Sequence, residues 1–254
     1  MNIGVEDPHR SPYLERILKS QKGASSKDIQ RCDAVLRYIE GGLDLYWRNG
    51  TNKVISLSLN YLGSARRLRS FPAPKQGAFN QALGKKSKRI LDLSGGFGGD
   101  SLLMSLQGYQ VTVVERIPLM AVLIEEAFER LAQQDWPGRE QWHLPTVINQ
   151  QAQQVISGFD DAASEYQGNS LVDCAYFDPM FPSKPRRSAA SNKYMQFLQK
   201  FAGQDDDAAE LAQSVINAQL PRLCIKRPNY ADPLIVAPNI QFSSKLVHYD
   251  VYHA

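Results

Sequence analysis

The stretch "KRILDLSGGFGGDSLLMSLQGYQVTVVE", Lys88 to Glu115, constrains the fold more than any other part of the chain. Its two ends, "KRILDL" and "QVTVVE", are short apolar runs of the kind that form buried strands. Between them a glycine-rich turn leads into "GGDSLLMSLQ", a helical pattern for which Asp100 is the expected N-cap. Strand, tight turn, helix and strand in about thirty residues make a βαβ unit, and its two strands must run parallel.

The alternation continues to the end of the chain. "PLMAVLIEEAFERLAQQ" reads as a long helix with Pro118 at its first position, where a missing N–H costs little. "TVIN" and "LVDCAYFD" read as strands, "DDDAAELAQSVINAQL" as a polar helix and "RLCIKR" as a further strand. The last segment, "IQFSSKLVHYDVYHA", suits an antiparallel hairpin. The expected fold class is therefore α/β: a Rossmann-like, mostly parallel sheet with helices on both faces.

The first sixty or so residues have another rhythm. "AVLRYI", "LDLYW" and "KVISLSLN" are strand-like, with an Asn-Gly turn in "RNGTN" between the last two. Val54, Ser56, Ser58 and Asn60 alternate with Ile55, Leu57 and Leu59, the period of a half-buried antiparallel strand. The expectation is a small β-rich lobe over 1–63 and a larger domain over 64–254. The proline-containing segment "SFPAPKQGAFN" is expected to connect them.

At 254 residues and 43% hydrophobic residues, the chain can bury one sizeable core or one core with a small lobe. No apolar run approaches the roughly 20 residues of a membrane span, and "MNIGVEDPHR" lacks a signal-peptide pattern. Three cysteines without a CxxC pair suit a reducing cytoplasm, with Cys174 and Cys224 as core residues. Four scattered histidines give no ligand spacing, so no metal site is expected. A net charge of +3 permits a polyanionic partner without requiring one.

The loop "DLSGGFGGD", Asp92 to Asp100, brings backbone close to a ligand through Gly96, Gly98 and Gly99, at the positive end of a helix. Glu115 ends the next strand about twenty residues on, where an acid can accept hydrogen bonds from ribose hydroxyls. Together they indicate an adenosine-containing cofactor. A dinucleotide loop usually reads GxGxxG, but Ser101 stands at the third glycine, and Asp100 would oppose a pyrophosphate. S-adenosylmethionine (SAM) has no phosphate and carries a sulfonium and an ammonium, so acids around the loop favour SAM over NAD.

"YFDPMFP" then places Asp178 where a strand leaves the sheet, the edge at which open α/β folds bind ligands. An exocyclic amine on a base is a weak nucleophile. A carboxylate and a rigid carbonyl that accept its two hydrogens favour a more nucleophilic nitrogen and align it. Asp178, Pro179 and Phe181 fit a [N/D]-P-P-[Y/F]-like motif, Phe181 offering a stacking surface and Met180 standing for the second proline.

With these residues the chain resembles the ribosomal RNA small-subunit methyltransferase J family. The segments that carry the likeness are "LDLSGGFGGDSLLMSLQGYQVTVVER", "YFDPMFPSK", "IKRPNYADPL" and "HYDVY", and it extends from about Ser64 to the C-terminus. The resemblance implies a class I methyltransferase fold, SAM as cofactor, and methylation of N2 of guanosine 1516 in 16S rRNA or the small ribosomal subunit. It implies SAM contacts at Gly99 and Asp100, Glu115 and Arg116, Gln151 and Ala152, and Asp178. Where the family usually has Arg before the loop aspartate, this chain has Gly99. Gln151-Ala152 stand in place of a Ser-Ser pair, and Leu93-Ser94-Gly95-Gly96 in place of Ala-Thr-Ala-Gly. Lys226 and Arg227, with Lys184, Arg186 and Arg187, are expected to form a basic rim for RNA phosphates or guanine acceptors. Two other readings stay open: an amino-methyltransferase acting on adenine N6 or another RNA position, and a non-catalytic RNA-binding assembly factor with the same fold.

Overall fold

The amino-terminal residues build a mixed five-stranded sheet in the computed structural model, which describes residues 2–48, 53–159, 172–180 and 206–253. Strand β1 (Ile3–Val5) precedes helix α1 (Pro12–Ser20), and β2 (Ala24–Ser25), β3 (Ala34–Ile39), β4 (Gly42–Arg48) and β5 (Val54–Leu57) follow. The order is β2-β1-β3-β4-β5: β1 runs parallel to β2 and β3, while β3, β4 and β5 are antiparallel. The expected three strands are present, and β5 buries Leu57 while exposing Val54 and Ser56. The Asn-Gly turn falls outside the described residues. Helix α1, not anticipated from the sequence, starts at Ser11, whose side chain accepts from the Tyr13 N–H, and has Pro12 in its first turn.

After α2 (Leu62–Arg66), helix α3 (Gly77–Leu83) occupies part of the segment expected to be a plain connection. Burial explains it. Asn80, Ala82 and Leu83 are inside, and the Phe79 ring lies 5.6 Å from both Tyr176 and Tyr249. The glycine and prolines end where this apolar face begins.

The larger sheet consists of β6 (Arg89–Asp92), β7 (Gln110–Val114), β8 (Thr146–Ile148), β9 (Cys174–Phe177), β10 (Arg222–Pro228), β11 (Ile240–Ser243) and β12 (Val247–His253). Helices α4 (Gly99–Leu106), α5 (Pro118–Gln133), α6 (Ala152–Ser157) and α7 (Ala208–Asn217) join them. Strand order is β11-β12-β10-β9-β6-β7-β8, parallel from β10 to β8, with β12 antiparallel to both of its neighbours. The chain travels outward from β6 to β8 and then returns to β9 on the other side of β6. The crevice between β6 and β9 is thus the topological switch point, where such sheets bind ligands.

Alternate strand residues feed two apolar clusters. Ile90, Val113, Tyr176 and Cys224 join one with α4 and α5; Leu91, Phe177, Leu223 and Ile225 join the other with α6 and α7. The first cluster also contains Ile3, Leu36, Leu45 and Leu57 of the amino-terminal sheet, so one core runs through the position expected as a domain boundary. Polar contacts reinforce it: Tyr13 bonds Glu129, Arg16 bonds Glu125 of α5, and Arg130 donates to the Leu59 carbonyl.

Tyr61 carries this packing to the glycine loop. Its ring lies 4.9 Å from that of Phe128, and its hydroxyl donates to the Phe97 carbonyl at 2.7 Å. Gly98, at φ +67°, passes so close that an added Cβ would collide with the Tyr61 hydroxyl. Gly98→Ala combines an unfavourable backbone conformation with this collision. It should cost about 1–3 kcal/mol of stability, measured as a lower denaturant midpoint; an unchanged midpoint would show that the loop yields freely.

Candidate active site

The carboxyl ends of β6, β7, β9 and β10 surround a cavity of about 330 Å³. Asp92, Gly96, Gly99, Asp100, Glu115, Arg116, Gln151, Ala152, Asp178 and Lys226, all expected at a site, line it together. Residues remote in sequence converge because the strands are parallel and all end on one edge.

Three expected residues stand elsewhere. Gly98 faces Tyr61 behind the loop. Pro179 is buried beside the cavity, and Met180, in the place of the motif's second proline, lines it. Arg227 is 7% exposed and donates to the Asp232 carbonyl. Neighbours in a strand point to opposite faces, so Lys226 and Arg227 do not form one basic rim. Phe181, Lys184, Arg186 and Arg187 lie outside the described residues. The N-cap of α4 is Gly98 rather than Asp100, because the loop turns through left-handed backbone there and leaves Asp100 in the first helical turn. An acid is still favoured at that position by the helix dipole.

The glycine loop is fastened from two sides. Glu115 accepts from Gly96 N–H at 2.9 Å through Oε2 and from Ile117 N–H at 2.7 Å through Oε1. Asn149 fixes the same strand end by donating to the Glu115 carbonyl at 2.7 Å. On the other side Ser94 N–H donates to Asp92 Oδ1 at 3.0 Å, and the Ser94 hydroxyl accepts from Asp178 N–H at 2.8 Å. Ser94 thereby ties the end of β6 to the end of β9. The sequence alone does not single out Ser94: Asp92 signals an Asx turn to the N–H two residues on, but that turn accepts any residue there.

Lys226 lies between two acids, its Nζ 2.8 Å from both Asp100 Oδ2 and Asp178 Oδ2. Tyr176, two residues before Asp178 and on the same strand face, donates to Asp100 Oδ2 at 2.5 Å. Burial, then the charges of Asp100 and Asp178, push the Tyr176 hydroxyl well above its ordinary pKa, so it stays a donor. Burial works against the Lys226 ammonium, but Asp178 and Asp100 outweigh it and hold its pKa above that of an ordinary lysine. Arg116, at the rim, pairs with Asp207 at 3.5 Å. Among the described residues, no group of three or more His, Cys, Asp or Glu is disposed to hold a metal ion.

Asp92 is buried beneath the loop with Ser101 bonded to its Oδ2. Burial pushes its pKa up to about 7, against the lowering effect of Ser101 and Ser94 and with Asp100 and Asp178 adding to the rise. An unfolded aspartate ionises near 4. Between about pH 4 and 7 the folded chain therefore binds more protons than the unfolded chain, and stability falls as pH rises. The group's contribution to that fall is of the order of a few kcal/mol. Asp92→Asn keeps an acceptor for Ser94 and should flatten this part of the stability–pH curve, measured by urea unfolding at several pH values. An unchanged slope would place the dependence on another group.

Comparison with known proteins agrees with this geometry. The family described as "Putative SAM-dependent methyltransferase" matches residues 21–254. The ribosomal RNA small subunit methyltransferase J of Chromobacterium violaceum is 31% identical over 195 residues, 75% of this chain and 72% of that protein. The protein of the same name from Coxiella burnetii is 30% identical over 208 residues, 80% of this chain and 77% of the relative. Among solved structures, a SAM-dependent methyltransferase from Neisseria gonorrhoeae superposes with a TM-score of 0.67 at 17% identity, covering 100% of this chain and 96% of that one. Its likeness shows the shared fold. The sheet, the loop that ends β6 and these relatives together establish that the chain is a SAM-dependent methyltransferase and belongs to the ribosomal RNA small-subunit methyltransferase J family.

Proposed function

We propose that the chain methylates the exocyclic N2 amine of a guanosine in 16S rRNA, acting on the RNA or on the small ribosomal subunit. Support comes from Asp178, at the carboxyl end of β9 and lining the cavity, in a chain whose relatives are named for small-subunit rRNA.

The residues around the cavity suit SAM. Among the described residues outside its own helical turn, a Cβ added at Gly99 would meet no atom within 4 Å, so the backbone there is open to a ligand. The Asp and Glu residues give the site acceptors for a cation and for hydroxyl groups. Glu115 would hold the ribose hydroxyls, since an ionised carboxylate offers about four acceptor positions. Asp100 would attract the cationic methionyl end, and Gln151 and Ala152 would border the base.

Bound SAM supplies the methyl group, whose bond to sulfur breaks with the electron pair remaining on sulfur. The protein's work is to hold the amine. Asp178 accepts one N–H, the carbonyl of Pro179 accepts the other, and Phe181 stacks on the guanine. The amine's lone pair forms the new N–C bond and one N–H proton is lost to solvent, leaving a neutral methylamino group. The exocyclic amine of adenine would satisfy the same acceptors, so the choice of guanine rests on the family resemblance alone.

Transfer of tritiated methyl from SAM to 16S rRNA and to 30S subunits, with the product nucleoside identified by mass spectrometry, tests the reading. N2-methylguanosine is expected; N6-methyladenosine would assign the other base. Asp178→Ala should lower kcat on the order of 100-fold or more while weakening SAM binding far less, the pattern of an interaction made mainly in the transition state. A near-normal rate would remove Asp178 from the chemistry. Glu115→Ala should weaken SAM binding, measured calorimetrically, by roughly 1–3 kcal/mol. Full affinity in a folded variant would exclude the ribose role.

A further inference from the structure

We propose that Lys226 is a positioning residue for methyl transfer, holding Asp178 in place as an ionised acceptor, and that it does not grip RNA phosphate; this rests on the role of Asp178 given above.

Register brings the two together. Phe177 is opposite Ile225 across β9 and β10, so Asp178 and Lys226 are the next pair along the same parallel ladder. Tyr176 and Cys224, two residues earlier, are likewise opposite one another, and all four share the face packed against α3 and α4. Opposite charges at such cross-strand positions attract. Asp100 then reaches the same ammonium from α4.

Charge decides between the two roles of the lysine. Two carboxylates and one ammonium leave a formal charge of −1 around Nζ, which attracts a cation and repels a phosphate. To bind RNA there, Lys226 would have to bring a phosphate against two carboxylates that already lie 2.8 Å from its Nζ. Asp178 is also faced by Asp92 from β6, Tyr176 from its own strand and Tyr249 from β12. Two of these neighbours, Asp92 and Asp100, are acids. Carboxylates sharing a site raise one another's proton affinity, and an opposite charge within about 4–6 Å lowers it. Lys226 brings a positive charge into contact with Asp178 and with Asp100, and so opposes that rise.

The test uses the full chain as wild type and as Lys226→Met, Lys226→Arg and Asp100→Asn. The side-chain carboxyl of Asp178 is followed by carbon-13 NMR in aspartate-labelled protein and identified by its loss in Asp178→Asn. Lys226→Met should move the protonation of Asp178 upward by about one pH unit or more, and Asp100→Asn should move it downward. In methyl transfer, the acid limb of the kcat–pH profile should follow the same directions. Lys226→Met should lose on the order of tenfold or more in kcat at pH 6, with KM for RNA changed less than threefold, and Lys226→Arg should restore most of the rate. An Asp178 titration that ignores both substitutions overturns the proposal. So does a Lys226→Met protein with normal kcat, weakened RNA binding and a shallower salt dependence, the behaviour of a phosphate contact. Because the NMR titration needs no RNA, a wild-type protein inactive on rRNA would reject the proposed substrate without touching the Lys226–Asp178 coupling.

Discussion

The contact of one ammonium with two carboxylates allows the acids of this cleft to coexist. Asp92, Asp100 and Asp178 come from three different elements and meet under the same loop. At an effective dielectric near 20, two like charges 4 Å apart repel by about 4 kcal/mol, comparable with much of a domain's net stability. The arrangement avoids that cost in two ways. Asp92 is buried deeply enough to retain its proton to about pH 7, while Asp100 and Asp178 share Lys226. What is left is a cleft with a small negative charge at the helix end of the glycine loop.

That balance bears on which cofactor the fold accepts. The positive end of α4 would welcome a phosphate, and the glycines alone do not discriminate. Asp100 in the first helical turn reverses the preference, since a pyrophosphate there would face a carboxylate that Lys226 only half offsets. A sulfonium with an α-ammonium meets complementary charge instead. Glu115 makes the choice structural as well as electrostatic: its side chain holds the Gly96 and Ile117 N–H groups, so the acid available to a ribose also sets the loop's shape.

The sequence made legible the features whose cause is local. The β6–loop–α4–β7 unit, the proline at the start of α5 and the closing hairpin all follow from apolar period, turn residues and capping over a few positions. Features determined by distant partners were hidden. Helix α3 is short and begins in a proline-rich segment, and it exists because Phe79 has Tyr176 and Tyr249 to pack on. The opposite fates of Lys226 and Arg227 follow from strand alternation, which is readable; that Lys226 meets Asp178 requires the register of β9 with β10. Ser94 was invisible as a link because its partner, Asp178, lies 84 positions away.

The amino-terminal sheet also gains a role that its composition does not announce. Its apolar residues belong to the cluster that supports α4 and α5, and Tyr61, in the segment that leads from it into α2, places its hydroxyl on the Phe97 carbonyl inside the glycine loop. A hydrogen bond from a largely buried tyrosine to a loop carbonyl restricts that loop more than a solvent-exposed one would, because no water competes for the carbonyl at equal cost. Gly98 is then required for close approach: any side chain at that position would displace the tyrosine ring or the loop. The backbone that frames the cavity is therefore held by Glu115 on one side, Ser94 on a second and Tyr61 on a third. Loosening the amino-terminal sheet would reach the cofactor loop through Tyr61 without altering a residue that lines the cavity.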